Sequence, residues 1–261
     1  LRRHATSKLP NDNLLNINSF GFRGEALPSL GAVGRLRIIS HNDGNGAHEI
    51  NVNGGKISDI KPAARTLGTT IELRDLFYAT PARLKFLRST KSELKAITDT
   101  VKGLSISTPN VAFTLIDKTG GKSRKIIQVQ KEKDVSLASI KNRLSRVLGQ
   151  DFSKNSISID VTREDVNLTG YVCLPTYARA SNAMQYFFVN NRQVRDKQLI
   201  GALRAAYSDF MPRDRFPAAA IYINCRPDFV DVNVHPGKSE VRFRDPQGIR
   251  SLIVTGIRQV I

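Results

Sequence analysis

Four short segments carry residue types at spacings that can do chemistry. In Gly21-Phe22-Arg23-Gly24-Glu25-Ala26-Leu27, two glycines three apart precede an expected helix. Glycine lets the backbone approach a ligand, a helix N-terminus offers unpaired N–H groups to an anion, and Arg23 adds a charge-assisted donor for phosphate. The same pattern also serves as a plain turn. Arg3-His4-Ala5-Thr6-Ser7-Lys8 sets hydroxyls and cations within one or two turns, suited to phosphate or to a solvated helix end. Nothing beside His4 in sequence orients it for acid–base work. In Val232-Asn233-Val234-His235-Pro236-Gly237-Lys238 a strand ends in a Pro-Gly turn that projects Lys238, a point charge able to reach a terminal phosphate or to rest in solvent. Pro236 biases His235 to extended geometry, a structural role. In residues 188–196 (FVNNRQVRD) the Asn190-Asn191 turn sets Arg192 and Arg195 near one another. With Lys197 and Arg204 they make a basic patch that Asp196 partly neutralises.

Other chemistries find no foothold. The sequence has no Walker A lysine loop, HExxH or GxSxG segment, and no carboxylate pair stands out as general acid and base. Cys173 and Cys225 each sit in an apolar strand-like stretch and read as buried thiols in a reducing compartment; no Cys/His spacing suits a metal. No residue is therefore assigned as catalytic or as a metal ligand.

The elements that must position these segments read as α+β. Strands are expected over residues 35–40, 49–53, 56–60 and 69–73, joined by the Asn-Asp-Gly and Asn-Gly-Gly turns. Thr80-Pro81 opens a helix, and a second runs over 92–104 with Leu94, Ile97, Val101 and Leu104 on one face. A hairpin is expected over 111–129 around Lys118-Thr119-Gly120-Gly121. The polar stretch 130–134 marks a domain boundary near residue 130. An amphipathic helix follows over 137–148, stopped by Gly149. Strands over 156–161, 167–173, 186–189, 219–224, 229–234 and 240–243 alternate with helices over 197–210 and 248–261. The pattern is two α+β layers in succession.

Forty Lys and Arg against 23 Asp and Glu give a net charge of +17 in 261 residues. Such a field attracts polyanions, with nucleic acid the first candidate, and phosphate contacts would make binding salt-sensitive. The apolar runs are too short for a membrane span, and no signal peptide opens the chain.

Together and in this order, the segments resemble the MutL/PMS family of mismatch-repair proteins. RHATSK, GFRGEAL, GTT, the TPAR-x-KF stretch from Thr80 to Phe86, FVNNR-x-V-x-D and DVNVHPGK-x-EVRF carry the resemblance, which covers nearly the whole chain. That family belongs to the GHKL ATPases. The resemblance implies that residues 1–130 form a truncated GHKL (Bergerat-type) ATPase domain, with the ATP lid and later strands. Residues 131–261 would form a ribosomal S5 domain-2-like transducer domain. It implies ATP-binding roles for Thr6, Ser7 and Lys8 in the lid region and for Gly21, Phe22, Arg23, Gly24, Glu25, Ala26 and Leu27 in the phosphate-facing motif. Thr69 would stand beside the adenine pocket, and Lys238 would reach the γ-phosphate. ATP and Mg²⁺ are the implied cofactors. The implied partners are DNA, held through Arg192, Arg195 and Lys197, a MutS-type mismatch-recognition protein, and a second copy in a homodimer. No membrane partner is implied, and the implied location is cytoplasmic and nucleoid-associated.

The sequence also departs from the family. The general-base Glu, the magnesium-binding Asn and the adenine-reading Asp of the family precede RHATSK, where this sequence begins, so the expectation is negligible ATP hydrolysis by these residues alone. The family's C-terminal dimerisation domain is absent, and Ala79 stands where members commonly carry Asn. A non-enzymatic nucleic-acid-binding module and the degraded remnant of a MutL gene are the alternative readings.

Overall fold

The computed structural model describes residues 24–44, 46–232, 234 and 240–261. The chain divides between Glu93 and Leu94 into two compact units.

In the first unit, helix α1 (Ala26–Val33) leads through Gly34 into β1 (Arg35–His41). Strand β1 pairs antiparallel with β2 (Ala47–Asn53) on one side and β5 (Gly68–Arg74) on the other. The short strands β3 (Lys56–Ile57) and β4 (Lys61–Ala63) both pair with β2. Period-two alternation sets Leu36 and Ile38 opposite Val52 and Ile50, and opposite Leu73 and Ile71, on one face. The other face carries Arg37, Glu49, Asn51 and Glu72. Helix α1 lies on the apolar face where glycines let it in. A Cβ at Gly31 would stand 2.8 Å from Val52, and one at Gly34 would stand 2.8 Å from Leu73. The Gly54-Gly55 turn then closes the helix end: the two N–H groups donate to the carbonyls of Gly34 (3.2 Å) and Gly31 (2.9 Å). Both glycines have positive φ, 56° and 86°, which frees those amides to point back. Of the strand expected over 56–60 only Lys56–Ile57 forms, as β3; at Ser58 the hydroxyl accepts the Asn51 N–H, and β4 begins beyond the expected range at Lys61.

Thr80 precedes the one-turn helix α2 (Pro81–Leu84), with Pro81 at its first position, and α3 (Thr90–Ser107) carries the chain into the second unit. The expected apolar face of α3 is not its buried face: Ile97 is 49% and Leu104 41% exposed. The helix engages through its last turns instead. At Gly103 the missing side chain lets the backbone meet the Gln193 amide, Ile106 is fully buried, and the Tyr222 hydroxyl donates to the Ile106 carbonyl at 3.1 Å.

The hairpin of β6 (Phe113–Asp117) and β7 (Arg124–Val129) leads to α4 (Leu137–Leu148) and α5 (Gln150–Lys154). Ser136 caps α4, accepting from the Ser139 N–H, and Gly149 ends it at φ 100°. Arg143 of α4 is buried completely. Its Nη2 donates to the carbonyls of Pro109 (2.5 Å), Val111 (2.9 Å) and Gln130 (2.8 Å), tying both ends of the hairpin to one helix.

The second sheet contains β8 (Ser156–Arg163), β9 (Val166–Cys173), β10 (Gln185–Val189), β11 (Arg192–Val194) and β12 (Ala219–Cys225), in the order β11-β10-β12-β9-β8. Only the β10–β12 pair within it is parallel. Helices α6 (Lys197–Ala206) and α7 (Pro246–Arg258) cover one face, meeting Phe187, Val189, Ile221 and Ile223. Ile106, Leu144 and Phe152 cover the other, meeting Tyr186, Phe188, Ala220 and Tyr222. The YFFV run is continuous because both of its faces are buried. Helix α6 is shorter than the expected 197–210. Among the described residues the two-residue strands β13 (Val230–Asp231) and β14 (Arg242–Phe243) pair over those residues, within the expected 229–234 and 240–243; residue 233 of the first range lies outside the described residues.

Gly170 sits where β9 runs closest to β12, at φ 129°, and a Cβ there would collide with the Ala220 carbonyl oxygen. Gly170→Ala should therefore destabilise the second unit by about 2 kcal/mol or more, read as a lowered urea midpoint with an unchanged slope; a midpoint equal to that of the unmodified protein would show that the strands can separate at no cost.

Candidate functional site

Of the Gly21–Leu27 segment, expected to face phosphate, the structure describes the end. Thr6, Ser7, Lys8, Gly21, Phe22 and Arg23 lie outside the described residues, as does Lys238 with His235, Pro236 and Gly237. Gly24 has φ 62° and so turns the chain sharply into α1. Glu25 occupies the N-cap position without capping the helix through its side chain, and its carbonyl accepts the Ser29 N–H at 3.0 Å. The amides of Ala26 and Leu27 are first-turn donors with no acceptor inside the helix, while Pro28, next in line, has no N–H to offer. The described part of the motif can thus present two backbone donors to an anion. Gly31, packed on Val52, fixes the helix that presents them.

Thr69, next to Gly68 at the start of β5, lies on the sheet face that α1 covers. Its hydroxyl is 2.9 Å from that of Ser40, its cross-strand partner on β1. Around it, Arg65 bonds the Thr70 hydroxyl through its guanidinium, and its carbonyl is 2.7 Å from Nδ1 of His41. Thr69 stands four residues along β5 from Leu73, the residue under Gly34, or about 14 Å of strand. The two described pieces of the expected nucleotide site therefore share one sheet face but do not touch along it. Sequence reasoning missed Ser40 as the support of Thr69; the signal was its even-numbered place on β1 with Leu36 and Ile38.

The opposite face of that sheet is held by charge. Arg37 donates to Glu49 at 2.6 Å and lies 3.7 Å from Glu72, and Asn51 donates to Glu49 at 2.8 Å. Hydrogen bonds from Arg37 first, then Asn51, hold the Glu49 carboxyl down at about 2.

In the second unit, Asn190 and Asn191 have φ 47° and 63° and make the two-residue turn between β10 and β11. Strand alternation puts Arg192 on the side of Val194, where it is half-buried and burial lowers its pKa. Arg195 and Lys197 are exposed. Asp196 is buried between them and accepts the Gln198 (2.8 Å) and Leu199 (3.1 Å) N–H groups as the cap of α6. The acid expected to neutralise the turn is thus committed to helix amides. Arg204 donates to the Arg213 carbonyl at 2.6 Å and lies over the Phe216 ring, a turn away.

Burial pushes the Cys173 thiol up to about 12 and that of half-buried Cys225 up to about 11, so neither is a ready nucleophile. Among the described residues no group of three His, Cys, Asp or Glu side chains is placed to hold a metal ion, and no helix is long and apolar enough to cross a membrane.

This architecture recurs among solved structures. It matches the N-terminal domain of a DNA repair protein with TM-score 0.78, at 23% identity over 92% of this chain and 75% of that one. It matches the Aquifex aeolicus MutL ATPase domain complexed with ADP with TM-score 0.60, at 22% identity over 86% and 74%. The gyrase B-subunit of Myxococcus xanthus follows with TM-score 0.52, at 13% identity over 98% and 74%. The fold is that of the GHKL ATP-binding proteins.

Sequence narrows the class further. Residues 144–261 match the family described as DNA mismatch repair protein, C-terminal domain. DNA mismatch repair protein MutL of Paramagnetospirillum magneticum is 48% identical over 262 residues, covering all of this chain and 42% of that protein. MutL of Rhizobium etli is 49% identical with the same coverage. The chain belongs to the MutL family, and it spans about two fifths of the length of these relatives.

The depressed carboxyl gives the first unit a defined acid sensitivity. A carboxylate whose folded pKa lies below its unfolded value stabilises fully above the unfolded value and loses that contribution as pH falls. Glu49 should therefore weaken the fold between pH 4.5 and about 2. Asp134, held at about 2 by the Ser136 and Ser139 hydroxyls, acts between pH 3.8 and about 2 in the second unit. Urea unfolding at a series of pH values should show a smaller acid-induced loss in Glu49→Gln than in the unmodified protein; parallel curves would mean that the Arg37–Glu49 pair does not couple to stability.

Proposed function

We propose that the chain is the part of a MutL-type mismatch-repair protein that closes over ATP and touches DNA, an ATP-dependent DNA-binding switch. The observation that carries this reading is identity near one half with MutL along the whole chain, beside the RHATSK, GFRGEAL and HPGK strings that carry the resemblance. In this reading Thr6, Ser7, Lys8 and residues 21–27 form the lid over the phosphates, and the Ala26 and Leu27 amides at the start of α1 support the two-donor end of it. Thr69, braced by Ser40, stands beside the base. Lys238 supplies a cation to the γ-phosphate from the loop between β13 and β14, so the arrangement of the second domain depends on which nucleotide is bound. Mg²⁺ would accompany ATP, but none of the described residues is assigned to it.

Residues 1–130 are read with the nucleotide domain and 131–261 with the S5-like transducer. Compactness divides the chain earlier, since the end of α3 packs on β12 and the β6–β7 hairpin is tied to α4. On the transducer, Arg195 and Lys197 are the exposed members of the DNA patch, with Arg192 behind them. A mismatch-recognition protein of MutS type and a second copy of the chain complete the proposed partners.

Titration calorimetry with a non-hydrolysable ATP analogue and Mg²⁺ tests the nucleotide half. Binding should appear and weaken roughly tenfold or more in Lys238→Ala, the loss expected for a charge-assisted contact. No binding, or binding indifferent to Lys238, would remove the phosphate role of that loop. For the DNA half, reversing Arg195 and Lys197 together should lower the slope of log affinity against log salt by about two. If DNA binds equally with and without the analogue, the chain is a nucleic-acid-binding module with no nucleotide control.

A further inference from the structure

The helix layer over the second sheet presents a row of cations that spans two helices. On α6, positions 197, 201 and 204 share the outward face, while Leu199, Ala202, Leu203 and Ala206 are buried. Residue 201 is glycine, and Nη1 of Arg250 on α7 comes to 3.9 Å from where its Cβ would be, an ordinary contact distance. Arg250 thus stands between Lys197 and Arg204 although it is remote from both in sequence. Arg258, one α7 face further on, completes the row beside Ser208, to whose hydroxyl it donates at 3.3 Å. From Lys197 to Arg204 the row extends about 10 Å along the helix axis.

The charge of this row is only partly cancelled. Arg258 pairs with Asp209 at 2.7 Å. Arg204 is oriented by neutral groups, the Arg213 carbonyl and the Phe216 ring, which fix its guanidinium and leave its charge. Among the described residues Lys197 and Arg250 enter no ion pair. Between the helices runs a groove whose walls add the donors of Ser208, Gln247 and Ser251 and no aromatic ring. Fixed cations with hydroxyl and amide donors suit phosphodiester oxygens, and about 10 Å spans about three phosphates at about 3.4 Å of rise each along one strand of a duplex. A single strand would call for stacking rings, and a lipid surface for apolar side chains to insert.

We propose that the α6–α7 groove, with Arg250 at its centre, carries the phosphate backbone of duplex DNA onward from Arg195 and Lys197. The inference rests on the DNA reading of that patch and adds α7 to it. The test is fluorescence anisotropy of a labelled DNA duplex of arbitrary sequence, titrated at several salt concentrations with the full chain. Arg250→Glu should lower the salt slope by about one. Gly201→Glu should do likewise by setting a carboxylate against Arg250, whereas Arg250→Lys should keep the slope. A Lys197→Glu variant that lowers the slope while Arg250→Glu and Gly201→Glu leave it unchanged would overturn the α7 extension and spare the patch. Unchanged slopes in all three, or no duplex binding by the unmodified chain, would overturn both. A loss in Arg250→Lys equal to that in Arg250→Glu, with melting temperatures lowered in both, would assign the effect to folding and also overturn the proposal.

Discussion

Burial of the second sheet on both faces is the constraint on which that unit depends. Phe187 and Val189 of β10 meet the α6–α7 layer, and Tyr186 and Phe188, one residue out of phase, meet the layer made by α3, α4 and α5. A strand buried twice has no side chain left for chemistry, so function is displaced to the loops at the strand ends and to the outer surfaces of the helices. The same constraint explains the small residues at its middle. Ala219 and Ala220 of β12 are fully buried on opposite faces, and Gly170 brings β9 within reach of the Ala220 carbonyl. Larger side chains there would hold the strands and layers apart.

One charge sits inside this packing. The fully buried guanidinium of Arg143 serves three carbonyls contributed by the segments that enter and leave the β6–β7 hairpin, and Glu132 approaches its Nε to 3.9 Å. A connection of this kind needs its backbone acceptors satisfied, since buried carbonyls without donors are costly. One nitrogen, Nη2, gathers all three acceptors. It holds both ends of the β6–β7 hairpin to α4 within the second unit.

The first unit obeys a different rule. Its sheet is apolar on the face toward α1 and polar on the other, where Arg37 links Glu49 and Glu72. Such a sheet lets one edge of its apolar face, at Ser40 and Thr69, turn polar without disturbing the core. The glycines at 31 and 34 determine how closely α1 approaches, and through it where the first-turn amides of Ala26 and Leu27 stand. Family likeness and fold likeness bear on different parts of this picture. Identity near one half with MutL along the whole chain establishes kinship. The solved ATPase domains, at 22–23% identity, speak for the path of the backbone.

Much of this was legible in the order of residues alone. The strands over 35–41, 68–74, 156–163, 166–173 and 185–189 follow from alternation and β-branched content, helix α4 from its periodicity and its Gly149 stop, and the β10–β11 turn from Asn190-Asn191. These are local properties, set by sterics and by which residues must avoid water. The family motifs were legible for the same reason, as contiguous strings. Tertiary structure decided what depends on neighbours distant in sequence: that Ile97 and Leu104 of α3 face outward while Gly103 and Ile106 dock, that Ser40 braces Thr69, that Asp196 turns to the α6 amides, and that Arg250 comes to lie beside Gly201. No periodicity in α3 reveals that only its last turns meet another layer, and no motif links residue 201 to residue 250. The pattern of a sequence states which side chains seek burial; only the packed chain determines which of them find a partner.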